Sequence, residues 1–212
     1  MTVLVTVAAA SAVATVLAIA VAGKASATGF GGFERAVGRL WFGPGVLSAR
    51  TRRFVAAVVL SAEGTATAGL ACAVLVLVLT SPPGTARRAA GILAQASFAV
   101  TAAMLAAFAV AQAVAVRRRL SAPCACFGRP TATTGPVGVL RSVALFAVCV
   151  AGALAGHPDT AGLPGTAGAA ACLVAVLAGC VTALLLVNLE DLVSLFRAAP
   201  VQTTPTRLDA DR

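Results

Sequence analysis

Chemistry in this chain can reside in few places. Cys124 and Cys126 stand one residue apart in the segment Pro123-Cys124-Ala125-Cys126-Phe127-Gly128, inside a polar connector over residues 120–136. Two thiols this close can join in a tight ring whose strain makes the bond easier to reduce, which suits electron exchange better than a structural staple. Arg117, Arg118, Arg119 and Arg129 flank the pair and favour the thiolate, the nucleophilic form. Pro123 restricts the entering backbone, and Phe127-Gly128 supplies an apolar anchor followed by a flexible turn. Two other readings compete: a pair of free thiols in a plain loop, and a soft-metal site such as Cu(I) or half a zinc centre. The metal reading is short of ligands, because the chain has one His and two Met, with Met1 and Met104 remote in sequence.

Glu63 is the second place. It interrupts the otherwise uncharged run 54–79, ten residues after Arg53, which is about 15 Å along a helix. A carboxyl at that depth in a membrane is costly unless protonated or paired. It is expected to face other helices, where it would serve proton or substrate handling or act as a polar brace. Gln95 and Gln112 are possible partners, though both read chiefly as interhelical contacts. His157, between Gly156 and Pro158, reads as a loop residue rather than a ligand, and the cysteines at 72, 149, 172 and 180 read as small apolar residues.

The elements that must position these groups follow from composition. The chain has 212 residues, 59% hydrophobic and 11% charged, with a mean hydropathy of +0.97. That is the composition of an integral membrane protein, with no room for a soluble catalytic domain. An all-α, polytopic transmembrane bundle of about five helices is predicted, with crossings near 3–22, 54–79, 89–116, 137–156 and 166–189. Residues 1–190 form one transmembrane domain, and the polar 191–212 tail is expected to be disordered. Ala25-Ser26-Ala27 resembles a signal-peptidase site. However, no positive region precedes the long apolar run, so a retained first helix is expected. The basic, aromatic stretch 24–53 is expected to lie along the membrane surface.

The net charge of +9 could suggest nucleic acid, but the basic residues cluster between uncharged runs as loop anchors do, so no nucleic-acid partner is expected and the partners include membrane lipids. With the N-terminus outside the cell membrane and the C-terminus cytoplasmic, 14 of the 16 basic residues fall inside, and only Arg87 and Arg88 fall outside. Arg141, near the start of the fourth crossing, is expected to snorkel to the interface.

Several of these features together resemble the MauE family of methylamine-utilisation membrane proteins, grouped with the wider DoxX-like redox-associated proteins. They are Ala22-Gly23-Lys24 followed by Gly29-Phe30, Glu63 in the second crossing, the Pro-Cys-Ala-Cys-Phe-Gly element at 123–128, and Arg141. The resemblance covers roughly residues 13–156, and the Cys-x-Cys-Phe-Gly element is its specific part. It implies a helper in the maturation of an exported, disulfide-containing substrate, in the family the small subunit of methylamine dehydrogenase, acting with a thioredoxin-like partner. Lys24 and Glu63 would then tune a redox pair at Cys124 and Cys126. No cofactor is required by the residues, and a quinone enters only as a possible electron carrier. Two other functions compete, a nonenzymatic membrane assembly factor and a small transporter coupled through Glu63. No inverted repeat supports the transporter.

The charge asymmetry yields a topology test. Reporter fusions at Arg212 and within residues 82–86 are expected to give opposite signals, the first cytoplasmic and the second external. A tail reporter active only outside the cell would reverse the orientation.

Overall fold

The protein is seen here in a computed structural model that describes residues 2–41, 48–79, 84–118, 136–155, 165–189 and 191–192. These residues form six helices: α1 (Thr2–Ala25), α2 (Ala27–Trp41), α3 (Ala49–Leu79), α4 (Gly84–Arg117), α5 (Pro136–Ala155) and α6 (Gly165–Val187). There is no strand among the described residues. All but α2 are long and apolar enough to cross a membrane, so the all-α, five-crossing architecture expected from composition is the one observed.

The core is built from small side chains. Ala9, Ala10 and Val13 of α1 meet Ala66, Leu70 and Ala73 of α3, Ala94 and Phe98 of α4, Leu145 and Cys149 of α5, and Ala183 of α6. With lipid as apolar as the core, close backbone approach rather than expulsion from water holds such helices together. A close seam joins α1 to α6, where a Cβ on Gly179 would run into the carbonyl oxygen of Ala8. Larger residues such as Leu173, Val174, Leu177 and Val181 of α6 point outward, as a lipid-facing surface requires.

The surface segment expected over 24–53 is instead partly a packed helix. Phe33, Ala36 and Val37 of α2 are buried against Ala56 of α3 and Ala115 of α4. Spacing of three and four residues places them on one helical face. The reason lies in the lengths of the neighbours. α1 ends at Ala25, beside the middle of α3, whereas α3 and α4 continue toward Ala49 and Arg117. α2 fills the layer that α1 vacates. Ser26 makes the joint as the N-cap of α2, its Oγ accepting a hydrogen bond from the Gly29 backbone N–H at 3.0 Å. A Cβ on Gly29 would collide with the Gly23 carbonyl, so this close approach of α2 to α1 needs glycine.

One end of the bundle therefore gathers α2, the start of α3 and the end of α4. The start of α5 joins them, since Ser142 donates to Gln112 Oε1 at 3.3 Å. Arg141 does not reach for the interface. It is only 6% exposed, and its Nη1 donates to the Val187 carbonyl at the end of α6 at 3.4 Å. A cation at a helix C-terminus, where carbonyls lack partners, explains this inward turn. α1 begins at the opposite end from the one where α6 finishes, as five crossings require.

The small-residue seam carries a prediction. Gly179→Leu is expected to destabilise the bundle by about 1–3 kcal/mol or more through overpacking against α1. Gly64→Ala, where the added Cβ has open space, is expected to be neutral or slightly stabilising. Thermal unfolding of the two variants in detergent compares them directly.

Candidate functional site

Of the site residues expected from sequence, the described structure contains Glu63 and Lys24. Cys124 and Cys126 lie outside the described residues, as does His157. Glu63 faces the bundle interior as expected, with 3% of its surface exposed, but its partner is neither Gln95 nor Gln112. Lys24, next to last in α1 and 1% exposed, points its ammonium at both carboxylate oxygens, with Nζ 2.5 Å from Oε1 and 2.7 Å from Oε2. Lys24 is thus not a loop anchor, and with Arg141 also turned inward 12 of the 16 basic residues remain of those that the charge asymmetry assigned to the cytoplasmic side.

Each element contributes something specific to this pair. α1 places Lys24 in its last turn, where a positive charge offsets the unpaired carbonyls of the helix end. α3 carries Glu63 near its middle, and Thr67 one turn on donates its hydroxyl back to the Glu63 carbonyl at 2.7 Å. From α2, the Phe33 ring sits with its centroid 4.6 Å from Nζ. From α4, Phe108 lies 5.8 Å away. The ammonium is therefore held by a carboxylate on one side and by the negative faces of two aromatic rings on others. Residues 33 and 108 also belong to the apolar cluster that seats α2, so the lid over the ion pair and the packing of α2 are one structure.

Such an arrangement can hold a positive charge away from water, fix α1, α2, α3 and α4 in register, and give or take a proton at Glu63. Among the described residues there is no group of three His, Cys, Asp or Glu side chains that could hold a metal ion. Of the membrane cysteines, Cys149 and Cys172 are buried, and the half-buried Cys180 lies 3.6 Å from the Thr15 hydroxyl. All four cysteines of the described residues are unpaired in disulfides, as expected for small apolar residues. Sequence reading named Lys24 and Glu63 together as residues that tune the site but missed that they pair with each other, because a lysine just past an apolar run also looks like an anchor. The missed signal is the weak helix that follows: Phe30 and Phe33 on an apolar face mark a segment that packs back onto the bundle.

Comparison with known proteins bears on this geometry. The family model described as Methylamine utilisation protein MauE matches residues 1–155. The chain belongs to this family and is a multi-pass membrane protein of the methylamine-utilisation type. The matched region spans α1 to α5 and includes both the Lys24–Glu63 pair and the connector between α4 and α5. No curated protein and no solved structure matches the chain.

The pair has an energetic signature. Lys24→Met alone leaves a buried carboxylate without compensation and is expected to cost about 3–5 kcal/mol. Lys24→Met combined with Glu63→Gln removes both charges and is expected to recover most of that loss. A double-mutant cycle on thermal unfolding measures the coupling, and additive effects would show that the two charges do not depend on each other.

Proposed function

We propose, from membership of the MauE family, that this chain supports disulfide formation in an exported partner protein through a redox pair at Cys124 and Cys126. The observation that carries the reading is that the family match includes the whole connector with its Cys-Ala-Cys sequence. Its setting is favourable. The helices on either side of the connector are tied to each other by Ser142 and Gln112, and Arg117 and Arg118, both exposed, stand at its entrance. A rigid, cationic frame favours thiolate and limits the motion of whatever it carries.

The chemistry is thiol-disulfide exchange. A thiolate of a thioredoxin-like carrier attacks the Cys124–Cys126 disulfide, one of the two sulfurs leaves as thiolate, and a mixed disulfide forms. The second carrier thiolate then displaces the remaining sulfur, so the carrier is oxidised by two electrons and Cys124 and Cys126 end as thiols. Restoring the disulfide passes two electrons and two protons to an acceptor, for which a membrane quinone is the candidate class. The charge asymmetry assigns the Cys124–Cys126 segment to the cytoplasmic side, and on that reading the pair exchanges electrons with a carrier rather than with the exported substrate itself.

Replacing one cysteine separates this reading from the others. Cys126→Ser or Cys124→Ser is expected to abolish partner maturation, because the remaining thiol has no disulfide to offer the carrier, whereas a carrier stripped of its second cysteine is expected to accumulate an adduct with the unaltered chain that dithiothreitol releases, because the resolving thiol is gone. Mass-tagging with maleimide reads the resting state: protection lifted by dithiothreitol supports the disulfide, whereas protection lifted by a chelator supports a metal. Thiols that label freely in cells, together with full activity of the double serine variant, would sink the redox role in favour of a nonenzymatic assembly factor.

A further inference from the structure

The Lys24–Glu63 pair has a feature that a mere brace does not need, which is a place for the lysine charge in either state of the glutamate. With Glu63 ionised, Nζ bonds both carboxylate oxygens. If a proton neutralises Glu63, the ammonium still faces the Phe33 and Phe108 rings, and cation–π attraction strengthens where water is absent. Among the described side chains, few other charges approach this pair. α4 has no charged residue between Arg88 and Arg117. On α2, Glu34 is engaged with Arg52 of α3, 3.8 Å apart and partly exposed, and Arg35 is exposed. On α5, Arg141 turns to the end of α6. The protonation of Glu63 is thus set chiefly by Lys24 and by access to water.

Access is controlled by α2, and the sequence has weakened α2 where it matters. Between the Ser26 cap and Phe33 stand Gly29, Gly31 and Gly32. Gly29 is required by its contact with Gly23, but a Cβ on Gly31 or on Gly32 would meet open space. Neither packing nor a tight approach calls for these two glycines. Each makes the helix about fivefold less stable than alanine would. The weak turns lie between the joint at Ser26 and the ring that covers Lys24. Beyond them, Ala36 and Val37 keep the second half of α2 seated on Ala56 and Ala115.

We infer that Glu63 is a proton-exchange site in the membrane interior, loaded from the α2 end of the bundle when the glycine-rich first turns of α2 lift Phe33 off Lys24. A proton from water adds to the Glu63 carboxylate, Lys24 keeps its own proton and its charge passes to the rings, and departure of the proton restores the ion pair. The inference goes beyond the redox reading and does not depend on the cysteines.

The test uses the full chain in phospholipid vesicles with dicyclohexylcarbodiimide, a membrane-soluble reagent that needs a protonated carboxyl, and mass spectrometry to locate the adduct. Glu63 is expected to be labelled, faster as the pH falls from about 8 to about 5, and Glu63→Gln to lose the adduct. Gly31→Ala with Gly32→Ala is expected to slow both this labelling and hydrogen exchange at residues 29–33 by about tenfold or more. The Cys124→Ser, Cys126→Ser double variant is expected to label at the wild-type rate, so failure of the redox reading leaves this result untouched. No adduct at Glu63 across that pH range, or equal labelling rates with and without the two alanines, would overturn the inference.

Discussion

A lysine and a glutamate inside hydrocarbon constrain a bundle more than any apolar contact can. Each charge loses several kcal/mol of hydration on burial, and only a partner at hydrogen-bond distance returns it. α1 must therefore present Lys24 to α3 at the height of Glu63. A slip of one residue along either helix would turn the side chain about 100° away. The apolar seam of α1 with α3, where alanines meet alanines and leucine, would tolerate many neighbouring registers. The ion pair admits one.

The rest of the α2 end follows from that choice. Once Lys24 sits against the middle of α3, α1 is finished, and the continuing lengths of α3 and α4 need another cover. α2 supplies it, and does so with phenylalanine, which buries the packing face and shields the ammonium with the same ring. Nearer the middle of the bundle, α1 and α6 approach closely at Gly179. At the α2 end, polar groups, a weak helix and the ends of the connector meet. Motions and chemistry are expected to concentrate there, since local opening begins where few contacts must be broken.

How much of this was legible in the sequence differed from residue to residue. The five crossings were plain, because uncharged runs of about twenty residues have few other uses, and helix ends fell within a few residues of the polar and Pro-containing breaks. Glu63 was legible as an interior residue for the same reason. Arg141 was misread as an interfacial side chain, and Lys24, though named beside Glu63, was also counted among the loop anchors. A basic residue near the end of an apolar run ordinarily reaches for the interface, and nothing local distinguishes one that turns inward to a carboxylate or to the carbonyl end of another helix. Cys124 and Cys126 are read as a chemical pair from their spacing, and they stand outside the described residues.

By itself the sequence determined the solvent in which this chain folds, the number of its crossings and its membership of a family, because these depend on composition, on run length and on short motifs read along one dimension. Only the tertiary structure decided which charge meets which. The separation of 39 residues between Lys24 and Glu63 carries no periodic signal. Their pairing arises where one helix stops beside the middle of another, a fact about relative height in the bundle. Helix lengths suggest such heights, but only packing fixes them, since an apolar seam has many registers of similar energy and a buried charge pair has one.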